Sequence, residues 1–113
     1  MLREALPELP FTDVNAAARH YEGVLGFSVN HEEPGFAVMY RDKATILLIP
    51  RTERYGGIGS VFFYVRDVDG LYDELLASGA DVQGEPISQP WGIRMFSVLD
   101  VEGNQLGFGQ TFE

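Results

Sequence analysis

The chain has no cysteine among its 113 residues, which excludes disulfide staples, thiolate nucleophiles and cysteine-based zinc sites. Basic residues are also scarce. Eight Lys and Arg stand against seventeen Asp and Glu, for a formal net charge of −9. A nucleic acid needs cationic side chains to neutralise its phosphates, and an anionic membrane surface asks the same, so neither is an expected partner. No run approaches the about 18 apolar residues of a membrane-spanning helix. The opening "MLREALPELP" has charges and prolines where a secretory leader needs an apolar core, so a cytoplasmic location is expected. Histidine is limited to His20 and His31, too few to form a cluster of imidazole ligands by themselves.

What is present supports a folded core. Hydrophobic residues make up 45% of the chain, with eight Phe, five Tyr and one Trp. This composition opposes disorder, and the length suits one domain spanning 1–113. A chain this short buries a small share of its surface, which makes dimerisation a natural way to cover more of it. The acidic balance favours the approach of a cationic small ligand and also serves solubility.

Two segments resemble each other. "LPFTDVNAAARHYEGVLGFSV" passes from a strand-like stretch through Asp13-Val14 into a helical pattern, and "FFYVRDVDGLYDELLASGADV" does so through Asp67-Val68. Ala17, Tyr21, Val24 and Leu25 fall at helical spacing in the first, and Val68, Leu71, Leu75 and Leu76 in the second. Asp13 and Asp67 are expected N-caps, and Gly26 and Gly79 expected stops. A strand hairpin follows each helix. "FAVMYRD" and "KATILLIPR" join across Asp42-Lys43, and "IRMFSVLD" and "NQLGFGQ" across Val101-Glu102-Gly103. The expected fold is α+β, a βαβββ unit written twice. Repeat one covers about 6–50, a turn-rich connector about 51–59, and repeat two about 60–110. Each repeat would form an open four-stranded sheet with a concave face.

In this arrangement the chain resembles the vicinal oxygen chelate superfamily, which includes glyoxalase I, extradiol dioxygenases, fosfomycin-resistance enzymes and bleomycin-resistance proteins. The stretches that carry the likeness are "PELPFTDVNAAARHYEGVLGFSV", "GFAVMYRDKATILLI", "YVRDVDGLYDEL" and "QPWGIRMFSVLDVEGNQLGF", roughly Leu6 to Gly109. The elements Tyr21…Leu25-Gly26-Phe27 and Asp100…Gly103-Asn104 are common to the superfamily. The turn Gln89-Pro90-Trp91-Gly92 is narrower and is most similar to the bleomycin-resistance branch.

The resemblance implies paired curved mixed sheets around a crevice, and a homodimer in which the N-terminal strand crosses to the partner. Enzymes of the superfamily hold a divalent metal with His or carboxylate side chains on the first and last strand of each repeat, leaving open positions for substrate oxygens. The matching positions here read Pro10, Leu47, Ser60 and Gly107, none of them a usual ligand. No metal, no other cofactor and no catalytic residue is therefore expected. What remains is a binding surface. Period-two alternation places Ser60, Phe62 and Tyr64 on one face of their strand. The resemblance adds Trp91 and Gly92 in the glycine-flanked turn, and Phe36 in "PGFAV", as ligand-binding residues. Aromatic faces of this kind stack on heteroaromatic rings and attract cations. Tyr55-Gly56-Gly57 reads either as a hinged lid or as a plain connector.

The leading expectation is a metal-free protein that sequesters a bleomycin-like drug or another aromatic, cationic molecule without making or breaking a bond. The alternatives are a superfamily enzyme (lyase, dioxygenase or thiol transferase), a metal-independent isomerase or hydrolase with a general base, and a sensor module acting through a separate protein partner.

Overall fold

Both helices begin on an aspartate. In the computed structural model, which describes residues 1–112, Asp13 Oδ1 accepts from the Ala16 amide at 3.0 Å and starts α1 (Val14–Gly23). Asp67 Oδ1 accepts from the Gly70 amide at 3.0 Å and starts α2 (Val68–Ala77). A carboxylate placed there satisfies amides that have no partner within the helix. At the far end of α2, Gly79 adopts a φ of 88°, and the Ala80 amide turns back to the Leu75 carbonyl. A side chain at that φ would be strained, which is why glycine ends the helix.

The chain divides into two compact units, Met1–Gly59 and one that starts at Ser60. In the first, β1 (Glu8–Phe11), β2 (Ser28–Glu33), β3 (Phe36–Arg41) and β4 (Ala44–Pro50) form a sheet of order β1-β4-β3-β2. Strand β1 lies parallel to β4, and the other pairs are antiparallel. The second unit repeats this plan with β5 (Ser60–Tyr64), β6 (Asp81–Val82), β8 (Ile93–Leu99) and β9 (Gln105–Thr111), in the order β5-β9-β8-β6. Here β5 is parallel to β9. The architecture is thus α+β with two mixed sheets. Its second sheet has five strands where four were expected, because the two-residue strand β7 (Ile87–Ser88) also pairs with β8. "GEPIS" alternates too briefly to register as a strand in the sequence.

Each sheet buries one face under its helix. In the first unit Leu9, Phe11, Ala37, Met39, Ile46 and Leu48 are buried with Ala17, Tyr21 and Leu25. The Tyr21 ring stands edge-on to Phe11 at 6.1 Å and to Phe27 at 5.4 Å. In the second unit Phe96, Val98, Leu106 and Phe108 are buried with Val68 and Leu75. Phe108 stacks between Phe63 and Phe96 at 5.2 and 5.3 Å. Such aromatic pairs each add about 0.5–1.5 kcal/mol beyond the area they bury. Leu76, grouped with the inward side chains by its spacing, is 53% exposed. It follows Leu75 by one residue, about 100° around the helix, and so sits at the margin of the buried stripe.

The opposite faces are open. Alternation places Glu8, Pro10, Leu47 and Ile49 on the open face of β1 and β4. Ser60, Phe62 and Tyr64 share the more exposed side of β5. No helix of the described residues is long and apolar enough to cross a membrane.

Candidate ligand-binding surface

The second unit's open face is built on glycine. In the parallel register of β5 and β9, Phe62 lies opposite Gly107 and Tyr64 opposite Gly109. A Cβ at Gly107 would stand 3.0 Å from Phe62 Cδ2, and one at Gly109 would stand 2.4 Å from Phe62 Cζ. The Phe62 ring therefore runs along β9 in the space that side chains at Gly107 and Gly109 would take. Tyr64 packs edge-on to it, with centroids 5.3 Å apart and planes at 77°. Phe62 is 40% exposed and Tyr64 73%. Ile93 Cγ2 meets the same point above Gly109, 2.9 Å from where a Cβ would be.

Trp91 stands two residues before Ile93, in the turn from β7 to β8, and is 68% exposed. That turn is closed by backbone hydrogen bonds. The Gln89 amide donates to the Ile93 carbonyl, the Gly92 amide to the Gln89 carbonyl, and the Phe112 amide to the Gly92 carbonyl. Gly92 has a φ of 89°, a conformation that disfavours a side chain. The indole is thus carried on a fixed backbone and left uncovered.

A charged clamp supports the same region from the helix side. Arg94 makes bidentate hydrogen bonds to Asp69 on α2, at 2.9 to 3.2 Å, and its Nη1 donates to Ser88 Oγ on β7 at 3.3 Å. Hydrogen bonding from Arg94 holds the Asp69 carboxyl below its usual range, and the reciprocal bond raises Arg94. The clamp joins the start of α2 to the strands on either side of the Trp91 turn.

Of the residues expected to bind ligand, Ser60, Phe62, Tyr64, Trp91 and Gly92 all fall in this unit. Phe62 and Tyr64 are in contact, and Ile93 links the Trp91 turn to Phe62 over Gly109. Ser60 lies at the start of β5, opposite Gln105. Phe36 belongs to the first unit, where it opens β3 beside His31 at a centroid distance of 6.2 Å. Sequence reasoning missed Gly109, Ile93 and the Asp69–Arg94 pair. The "GFG" alternation in β9 was the available signal, since glycine repeated on one side of a strand marks a close approach.

The residues at the superfamily's metal positions do not fit a metal. Pro10 pairs with Ile49, and Leu47 with Glu8, so among these four residues of β1 and β4 Glu8 alone carries a carboxylate. Gly107 is covered by the Phe62 ring. No group of three or more His, Asp or Glu side chains that could hold a metal ion occurs among the described residues.

An open cleft of about 270 Å³ lies in the first unit, lined by Glu8, Pro10, Ile49, Tyr55, Gly57, Ile58 and Gly59. Arg51 holds its rim in place by donating to the carbonyls of Pro10, Gly56 and Gly57. The Tyr55-Gly56-Gly57 segment is therefore fastened to β1. On the far side of that unit, Asn15 receives the Gly35 amide and donates to Glu32 and to the Glu33 carbonyl, tying α1 to the β2–β3 turn. The Asn15 hydrogen bond, followed by that from Arg19, holds the Glu32 carboxyl below its usual range.

The sequence matches the family model of the Glyoxalase/Bleomycin resistance protein/Dioxygenase superfamily over residues 6–108. A bleomycin resistance protein of Geobacillus stearothermophilus is 25% identical over 129 aligned positions, covering 97% of this chain and 98% of that protein. Among solved structures, TioX from Micromonospora sp. ML1 superposes with a TM-score of 0.79 at 25% identity, over 96% of this chain and all of TioX. A bleomycin-binding protein complexed with bleomycin superposes with a TM-score of 0.82 at 22% identity, over 97% of this chain and 99% of that one.

Proposed function

Because the chain belongs to the glyoxalase/bleomycin resistance protein/dioxygenase superfamily, we propose that it is a metal-free binding protein that sequesters an aromatic, cationic small molecule of the bleomycin type. The observation that carries this reading is the exchange at Gly107. The position where an enzyme of the superfamily would present a metal ligand holds a glycine covered by an exposed phenylalanine ring. A surface of this kind polarises no substrate oxygen and offers instead a large aromatic contact.

Capture would proceed in two stages. The net charge of −9 draws a cationic guest toward the protein and sets the rate of encounter. Stacking against Trp91, Phe62 and Tyr64 of the second unit then sets the residence time, with Ser60 and Gly92 in the same unit. No general base or nucleophile is assigned, and protection would depend on the ratio of protein to drug. Two copies of the chain would form the binding crevices between them, with exchange of the N-terminal strand, in the cytoplasm.

The test is a titration of EDTA-treated protein with metal-free bleomycin, followed by Trp91 fluorescence and by heat. The expected result is saturable binding, micromolar or tighter, near one ligand per chain and at least about tenfold weaker in Trp91→Ala. Absence of binding, or binding unchanged in Trp91→Ala, would refute the assignment.

A further inference from the structure

We infer that Gly107 and Gly109 determine the ligand specificity of the second unit's open face by letting Phe62 lie along β9, and that the resulting surface selects a flat conjugated ring over an aliphatic cation. The assignment rests on the capture reading above and names the ligand class for that face.

The backbone does not explain these glycines. Neither has a φ in the left-handed region, so the backbone conformation by itself would accept alanine at both positions. Glycine inside a strand weakens it through chain entropy and absent packing. The space above each glycine is what distinguishes them. At Gly109 a Cβ would stand 2.4 Å from Phe62 Cζ and 2.9 Å from Ile93 Cγ2, and at Gly107 it would stand 3.0 Å from Phe62 Cδ2. These separations are all well inside normal carbon–carbon contact.

The crowding atom at Gly109 is the far end of a side chain, so a methyl group there would push the ring away from the strand while the sheet remained paired. The corresponding strand of the first unit shows the alternative. Strand β4 carries Leu47 and Ile49 on its open side and has no aromatic neighbour on β1 beyond Phe11, which is buried on the other face.

A ring held against the sheet, with Tyr64 braced edge-on beside it, offers a broad face to another ring. A flexible alkylammonium can use only the weaker attraction of an exposed phenyl quadrupole. A flat heteroaromatic gains contact area over the whole face and loses little conformational freedom in doing so. The preference therefore follows from where Phe62 lies, and Gly107 and Gly109 are positioning residues acting through it.

Thioflavin T, a planar aromatic cation, and spermine, an aliphatic one, separate the two chemistries. Each is titrated calorimetrically into the full chain and its variants at one ionic strength. The wild type is expected to bind thioflavin T at least about tenfold more tightly than spermine. Gly109→Ala should weaken thioflavin T about tenfold and Gly107→Ala about threefold, with spermine unchanged in both. Phe62→Leu should match Gly109→Ala, and the double variant should lose little more, because both changes remove one interaction.

Ring position has its own readout. The Hα resonances of Gly107 and Gly109 should be shifted by the Phe62 ring current in the wild type and lose that shift in Phe62→Leu. If Gly109→Ala does not fold, Phe62→Leu decides alone. Unchanged thioflavin T affinity, parallel loss of both probes, or glycine Hα signals insensitive to Phe62→Leu would overturn the inference. Bleomycin binding that persists undiminished in Gly109→Ala would overturn this specificity and leave the capture reading in place. A wild type that takes neither thioflavin T nor bleomycin would overturn both.

Discussion

The two units share one plan and differ in what they place on it. Each starts with a strand parallel to its last strand and continues through an aspartate-capped helix. Two residues after the cap, each helix carries a polar side chain that reaches across to a strand or turn. In the first unit this is Asn15, bonded to Glu32, the Glu33 carbonyl and the Gly35 amide. In the second it is Asp69, bonded to Arg94. The first tie is centred on a neutral amide and anchored on backbone. The second is an exposed ion pair, which salt screens. The open faces diverge as well, with aliphatic side chains on β4 where β9 has glycines under an aromatic ring. A duplicated fold can thus keep its helix–sheet core while its open faces and ties take on separate tasks.

The hairpin turns provide the strongest way to break this comparison. The turn between β8 and β9 is organised by Asp100, which is 6% exposed. Its carboxylate accepts from the amides of Glu102 and Asn104 and from the Asn104 side chain. Asp100→Ala leaves those donors unpaired in a buried turn and should cost about 3 kcal/mol in urea unfolding. The equivalent turn of the first unit needs no such carboxylate. Asp42 has a φ of 53°, and Asp42→Gly should change stability by less than about 1 kcal/mol in either direction, as relief of the left-handed backbone opposes added chain entropy. Equal losses at the two turns would erase the distinction.

The helix ties come next in size. Asn15→Ala removes partly buried hydrogen bonds and should cost about 1–2 kcal/mol, seen as faster amide exchange in the β2–β3 turn. Asp69→Ala should have a smaller effect on stability. Its signature should be local, with faster exchange around Ser88 and the Trp91 turn, and 1 M NaCl should reproduce much of it in the wild type. Salt should leave the Asn15 tie intact.

The pH dependence sharpens the same contrast and is the smallest effect. Asp69 is held low by Arg94, and Glu32 by Asn15 and then Arg19. A carboxylate with a depressed folded-state pKa binds fewer protons when folded than when unfolded. Its contribution is therefore present in full above the ordinary carboxylate range of about 4 and is lost as pH falls through the depressed value. Thermal melts should show Asp69→Asn slightly less stable than wild type at pH 7 and converging with it below about pH 4, where the wild type has lost the same contribution. A variant equally weakened at both pH values would contradict the assignment.

Much of the fold was legible in the sequence because its signals are local. Asp13 and Asp67 announce the helices, Asp42-Lys43 and Glu102-Gly103 the hairpins, and the Asp-Val echo the duplication. Strand β7 escaped because two residues carry no period. Leu76 was misplaced because adjacent leucines at a stripe's edge cannot be told apart by spacing alone. The alternation of Ser60, Phe62 and Tyr64 could be read directly, but the partner of Phe62 could not. That partner is the absence of side chains at Gly107 and Gly109, more than forty positions later in the chain. The Asp69–Arg94 clamp was hidden for the same reason, since register between distant strands and helices is a tertiary property.

The central claim is capture without chemistry, and it is tested most directly by recovering the ligand. Metal-stripped protein is equilibrated by dialysis against metal-free bleomycin, then denatured, and the released drug is examined by mass spectrometry. The account predicts retention near one drug per chain and release of a molecule of unchanged mass. Drug released with an altered mass, or conversion of more drug than there are chains, would contradict it and make the protein an enzyme.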